Sequence, residues 1–201
     1  MTAEQLNLKY VLVDRKRDFE VIDFFEKNAL TIQNLDESRD EDTLTSKANL
    51  FSDYGYSLAK SGQSGKAIPI LKEALRLHEK NPSFEDNMRN SNGYKALLFL
   101  LGEAFQKTNK ITDSREIFKR LYSISPDNES YKSWLIWTTN YKRNKISKVA
   151  MVCFVIWLTI SAIFRDMTGG LHVAFTFLGL SVFIIWLSLD IKSYFVKRKY
   201  R

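Results

Sequence analysis

Apolar positions recur every three or four residues along most of the first 125 residues, then merge into two long runs almost free of charge. Segments 49–60, 66–80, 95–107 and 113–124 carry this helical spacing rather than strand-like alternation, which predicts two pairs of helices. Upstream, "DFEVIDFFEKNALTI" predicts an amphipathic helix whose apolar side carries Phe19, Ile22, Phe25 and Leu30, while "YVLV" before it fits helix or strand. After Pro126, "NESYKSWLIWTTNYKRNKI" predicts one more helix over the end of the second pair. The acidic run "DESRDED" between the early helix and residue 48 predicts a solvated linker, with partner binding as the alternative.

One stretch within this pattern imitates a catalytic motif. "SGQSGKAIPIL", residues 61–71, sets Gly62, Gly65 and Lys66 close together, as a phosphate-binding loop would. Such a loop needs glycine where Lys60 stands, Ser or Thr where Ala67 stands, and a buried strand just upstream. All three requirements fail. The equivalent stretch between the second helix pair, "TNKITD", has no glycine, which a phosphate cradle could not tolerate and a turn can. Residues 61–65 are therefore expected to be an inter-helix turn.

The two pairs match each other position by position. Counting from Ala48, Phe51, Tyr54, Gly55, Leu58, Ala67, Leu71 and Ala74 fall at positions 4, 7, 8, 11, 20, 24 and 27. Counting from Lys95, Leu98, Leu101, Gly102, Phe105, Ser114, Phe118 and Leu121 fall at the same positions, and Pro126 at 32. Small residues at 8 and 20 allow two helices to approach, and large apolar residues at 4, 7, 11 and 24 fill the space around that approach. This arrangement resembles the tetratricopeptide repeat (TPR) over about 80 residues, with units at 48–82 and 95–128. The unit starts lie 47 residues apart, so "NPSFEDNMRNSNG" contains an insertion at 82–94, and Pro69 is placed in the first turn of its helix.

Charge is divided unevenly along the chain. Residues 141–201 hold ten Lys/Arg and two Asp, a net of +8, while the first 140 hold twenty basic and twenty-one acidic residues. The basic total of +7 is thus no general nucleic-acid footprint; it belongs to the apolar third. There, sixteen uncharged residues separate Lys148 from Arg165, and twenty-three separate Asp166 from Asp190. A helix of ~20 residues crosses a bilayer core. The second run suffices, and snorkelling of Lys148 and Arg165 extends the first. "RDMTGGLH" joins them as a tight turn, with Gly169 and Gly170 supplying permissive backbone. Basic residues flank the pair on both outer sides, so both chain ends are expected in the cytoplasm and the turn outside. Trp134, Trp137, Tyr141, Tyr194 and Tyr200 suit the interface.

The expected fold is all-α: a TPR-like helical-hairpin solenoid followed by a C-terminal two-helix transmembrane hairpin. Its parts are an N-terminal cap with acidic linker (1–47), the repeats (48–130), a capping and juxtamembrane helix (131–146), the hairpin (147–190, spans near 147–164 and 169–189) and a basic cytoplasmic tail (191–201).

Catalytic and metal-ligating residues are expected to be absent, as are cofactors. His78 and His172 have no second ligand at metal spacing, and no nucleophile-elbow, zincin or dinucleotide pattern occurs. Cys153, the only cysteine, sits in an apolar run as a small hydrophobe, and Asp190 sits at the end of a span beside Lys192. The opening residues "MTAEQLNLKYVLVDRKRD" have no apolar core of about 7–15 residues after a basic start, so no secretory signal is expected in them.

What the TPR resemblance implies is a groove, lined by the first helix of each unit, that holds a protein partner. Its lining positions are Asn49, Ser52, Tyr56, Ala59 and Lys60, then Ala96, Phe99, Glu103, Gln106 and Lys107. The subclass that clamps a terminal carboxylate uses Lys and Asn at positions where this chain has Ser52, Phe99, Tyr56 and Glu103, so that clamp is not expected. The reading is a membrane-anchored adaptor recruiting a cytoplasmic protein, touching lipid through the hairpin and its basic flanks, without nucleic acid. A signal-gated effector whose hairpins homo-oligomerise and an accessory subunit of a larger membrane complex are the alternatives.

Overall fold

The computed structural model describes residues 3–38, 40–82, 84, 89–163 and 170–199, apart from the side chains at 161–163, 170–176, 178, 197 and 199. All regular structure among them is helical: α1 (Ala3–Val11), α2 (Asp18–Gln33), α3 (Glu41–Lys60), α4 (Ser64–Lys80), α5 (Asn92–Lys107), α6 (Ile111–Ile124), α7 (Glu129–Ile163) and α8 (Gly170–Lys199). The chain forms two compact units, residues 1–131 and 132–201.

In the first unit successive helices pack on one another, with α3 along α4 and α5 along α6 as the two tightest pairs. Glycine sets that closeness. A Cβ at Gly55 would stand 2.7 Å from Leu71 Cδ2, and one at Gly102 would stand 2.8 Å from Phe118 Cζ. Position 8 therefore meets position 24 in both units. In the second, the buried Ser114 hydroxyl also donates to the Gly102 carbonyl at 2.8 Å.

The turns are equally matched. Gly62 has φ 81° and Asn109 has φ 60°, both in the left-handed region and both at position 15 of their units. The next N–H closes back on the first helix in each case, Gln63 on Leu58 at 2.9 Å and Lys110 on Phe105 at 2.8 Å. This is the helix-ending pattern that needs glycine or asparagine at its bend. Asparagine does in the second turn what glycine does in the first, so "SGQSGK" is an inter-helix turn.

Several boundaries differ from the sequence reading. Asp40 caps α3 by accepting from the Thr43 N–H at 2.6 Å, so the first repeat helix starts seven residues before Ala48. Ser91 caps α5 likewise at 3.2 Å. Because α4 starts at Ser64, Pro69 is its sixth residue and falls beyond the first turn. The bond it cannot make leaves the Gly65 carbonyl to water, since both residues are exposed. Tyr10 and Val11 end α1, which resolves "YVLV" as the end of a helix and a turn. On α2 the buried face is Val21, Phe25 and Ile32, whereas Phe19 and Leu30 are 66% and 77% exposed. At 100° per residue, 19 and 30 lie well over 100° around the helix from 25.

The acidic run is no solvated linker. Glu37 accepts from Lys47 at 3.1 Å, Arg76 at 2.7 Å and Lys80 at 3.0 Å, binding the α2–α3 connection to α4. Lys47, with a side chain only 6% exposed, also donates to the carbonyls of Gln33 and Leu35, the frayed end of α2. From the insertion, Phe84 packs edge-on against Tyr94, while 83 and 85–88 lie outside the described residues.

In the second unit the expected capping helix and first span are one uninterrupted helix, α7, and the expected turn at 164–169 lies outside the described residues. α7 and α8 meet through Asn144 and Ser193, Phe154 and Phe183, and Trp157 and Gly179. Numbers rise on one helix as they fall on the other, so the helices are antiparallel in one register. A Cβ at Gly179 would overlap the Trp157 indole, so Gly179→Val is expected to part the helices. Disulfide trapping of Asn144→Cys with Ser193→Cys should then fall several-fold; undiminished trapping would show the close approach to be dispensable.

Candidate functional site

The inner face of α3 separates two adjoining cavities. The first, about 350 Å³, lies between α3 and α5 and is lined by Asn49, Ser52, Asp53 and Tyr56 opposite Tyr94, Ala96, Leu97 and Leu100. The second, about 440 Å³, lies between α3 and α1 and is lined by Asn7, Tyr10, Arg15, Asn49 and Asp53. Asn49 and Asp53 border both. Helical spacing explains the set, since 49, 52, 53 and 56 occupy one side of α3 while 51, 54 and 58 are buried on others.

The groove carries little net charge. Asp53 accepts from the Tyr10 hydroxyl at 2.7 Å and has Arg15 at 3.9 Å. The Arg15 guanidinium also lies 4.6 Å from the centre of the Tyr10 ring. Burial pushes the Tyr10 hydroxyl's pKa up, and the bond to Asp53 adds to the effect, so it stays a donor. His78 reaches the groove from the end of α4, and burial lowers its pKa, which keeps it neutral at pH 7.

Ser52 and His78 stand 3.0 Å apart, a spacing a nucleophilic pair would also show. Here the Ser52 hydroxyl donates to the Ala48 carbonyl at 2.7 Å, so His78 Nε2 is the donor to Ser52. That direction is the reverse of what an activated serine needs. It leaves His78 Nδ1 as an acceptor. No carboxylate orients the ring through a hydrogen bond among the described residues, and no group of three metal-ligating side chains occurs among them.

Of the ten lining positions the sequence suggested, Asn49, Ser52, Tyr56 and Ala96 meet in the groove, while Ala59 is buried and Gln106 does not line the cavity. Lys60 stands at its edge, its ammonium 5.1 Å from the centre of the Tyr56 ring. Phe99 is half-buried, its ring meets Phe118 and Tyr131, and it does not line the cavity. Glu103 is half-buried and Lys107 exposed, and neither lines the cavity. The helical pattern did not reveal His78, Tyr94 or the α1 residues. His78 lies on the second helix of its unit, outside the positions that the TPR resemblance marks.

Tyr94 is held from two sides. Its hydroxyl donates to Glu79 at 2.8 Å and accepts from Arg120, which itself pairs with Glu79 at 2.8 Å. This knot ties α4, α5 and α6 together beneath the groove. Asn49, in contrast, makes no side-chain hydrogen bond among the described residues.

No protein-family model and no curated protein matches the chain. Among solved structures it is similar to the nearly identical TPR-like repeats assigned to a Podosopora anserina kinesin light chain, at 12% identity over 98% of this chain and 95% of that one, TM-score 0.45. It is also similar to BtubC (BKLC) from P. vanneervenii, at 12% identity over 98% of this chain and 87% of that one, TM-score 0.38. The repeat assignment rests on the internal equivalence of the two helix pairs rather than on these likenesses.

Proposed function

We propose that the chain is a membrane-anchored helical-repeat adaptor that holds a cytoplasmic protein segment against the inner face of α3. The observation that carries the reading is a groove whose acid is already paired and whose neutral polar groups Asn49 and His78 Nδ1 have no protein partner among the described residues. Asp53 is already neutralised, while the Asn49 carboxamide and His78 Nδ1 remain open beside Ala96, Leu97 and Leu100. Such a surface suits backbone amides and small apolar side chains, and it lacks the paired Lys and Asn positions of a carboxylate clamp.

Anchoring is supported by α8, where Gly179–Val196 has a mean hydropathy of 1.5 and only 11% of its residues are buried, so most of this apolar helix lies outside protein contact. The exposed side chains of Val149, Val152, Val155 and Ile156 put a like surface on α7. Paired antiparallel to α8, α7 supplies the first limb of a hairpin whose two ends share one side of the bilayer. In this reading the repeat unit and the C-terminus are cytoplasmic.

Full-length protein carrying Asn49→Arg with Tyr56→Ala tests the groove. Aromatic anchors contribute ~2 kcal/mol or more, so partner affinity should fall about thirtyfold or more with helicity by circular dichroism unchanged. Equal affinity would end the groove assignment. Alkaline carbonate extraction tests the anchor separately, and release of the chain from membranes would end that part.

A further inference from the structure

We propose that the α7–α8 pair forms a collar that binds anionic phospholipid headgroups, an inference that rests on the membrane reading above. The basic residues at 142–148 and 192–198 lie far apart in sequence. The antiparallel register brings them together. Asn144 meets Ser193 at 3.4 Å, and the Arg143 guanidinium reaches the Lys192 carbonyl at 3.5 Å. Carried along both helices, that register sets Lys142 level with Phe195, Lys145 level with Lys192, and Lys148 about a turn further along. At 1.5 Å per residue, Lys142 to Lys148 spans only ~9 Å of axis.

Part of the positive charge of the repeat unit is neutralised in place, and its lysines unpaired among the described residues, such as Lys66 and Lys119, lie apart in sequence on different helices. There, Arg76, Lys80 and Arg120 each have a carboxylate within 3.0 Å. In the collar, Lys142, Arg143, Lys145, Lys148, Lys192 and Arg198 form no ion pair among the described residues. All but the half-buried Arg143 are exposed. Asp190 is the one carboxylate at this level and pairs with none of the six cations among the described residues, so the excess positive charge calls for an external anion.

The surroundings identify which anion. On one side of the collar Val149, Val152, Val155 and Ile156 are exposed and apolar, as are Ile184 and Ile185. On the other, the tilted rings of Trp137 and Tyr141 lie 5.1 Å apart, and Tyr194 and Phe195 are exposed beside Lys192. Acyl chains fit the first surface, headgroups fit the cations, and aromatic rings favour the boundary between them. A soluble phosphate or acidic protein would use the charge and leave the adjoining apolar surface uncovered.

Each cation near an anionic surface strengthens attraction about fivefold, so three together are worth about 100-fold before salt screening. The test uses full-length protein reconstituted in vesicles of phosphatidylcholine and phosphatidylglycerol, then extracted in mild detergent, with co-purifying lipid measured by mass spectrometry. Wild type should retain phosphatidylglycerol at several times its share in the vesicles. Lys142→Gln/Lys145→Gln/Lys192→Gln should bring retention down to the vesicle ratio while the protein stays resistant to alkaline extraction. Lys27→Gln/Lys66→Gln/Lys119→Gln, with the same change in charge on the repeat unit, should retain lipid like wild type. Unchanged enrichment in the collar variant, or equal loss in the control, overturns the collar. Extraction of wild type by alkali overturns the membrane reading itself, and so tells the two failures apart.

Discussion

Gly102→Leu is expected to lower the stability of the repeat unit by about 3 kcal/mol or more, with Gly55→Leu close behind. Both glycines sit mid-helix, where glycine ordinarily costs ~0.5–1 kcal/mol relative to alanine. If spacing did not matter, replacing them would stabilise the fold. The geometry reverses that sign: the first added atom at 102 would lie 2.8 Å from the Phe118 ring, and Phe118 is fully buried. At 55 it would lie 2.7 Å from Leu71, also fully buried, so neither neighbour has solvent to retreat into. Gly65→Ala supplies a control of opposite sign. It lies in the first turn of α4 with nothing within 4 Å of an added Cβ, so a gain of up to about 1 kcal/mol is expected. Denaturant titration of the full chain in mild detergent reads all three. Stabilisation by both Gly102→Ala and Gly65→Ala would show that the close approach of the paired helices is dispensable.

These glycines explain why so much of the repeat unit is readable from sequence. The contact between positions 8 and 24 constrains residue size twice, 47 positions apart, and a constraint imposed twice leaves a periodic trace. The turns leave a subtler one. Gly62 and Asn109 look unrelated as letters but are the two residue types that tolerate positive φ, so backbone geometry, not identity, is what recurs.

Contacts that occur once leave no such trace. Phe99 shares a helix face with groove positions by spacing, yet its ring turns toward Phe118 and Tyr131, which a single-helix projection cannot foresee. His78 enters the groove only because α4 ends beside α3. On α2, hydrophobicity alone points to Phe19 and Leu30, whereas Val21, Phe25 and Ile32 follow the helical spacing that α3 covers. The join between the expected capping helix and first span vanished for another reason. Lys142 to Lys148 break the apolar run but not the helix, since lysine and arginine are good helix formers.

The acidic run shows the same limit, and yields the last expected result. A sequence rich in Asp and Glu reads as solvated, but Glu37 accepts hydrogen bonds from three cations that come from α3 and α4. The Arg76 guanidinium first, then the Lys80 and Lys47 ammonium groups, hold its pKa down to about 2, against an opposing push from partial burial. A carboxylate whose folded pKa lies below its unfolded value of 4.5 adds stability above pH 4.5, and loses it as the pH falls toward 2. Glu37→Gln should therefore cost on the order of 1–3 kcal/mol at pH 7 and flatten the stability profile between those limits. Lys47→Met should cost at least as much, because it leaves the Gln33 and Leu35 carbonyls without the buried donor they share. Asp23→Asn removes the exposed pair with Lys27 and should change little at either pH, the ordinary outcome for a surface ion pair. Thermal melts of the full chain at pH 7 and pH 3 distinguish these cases. If wild type and Glu37→Gln lose stability in parallel on acidification, Glu37 is a solvated carboxylate after all, and the link it forms from the α2–α3 connection to α4 contributes nothing to the fold.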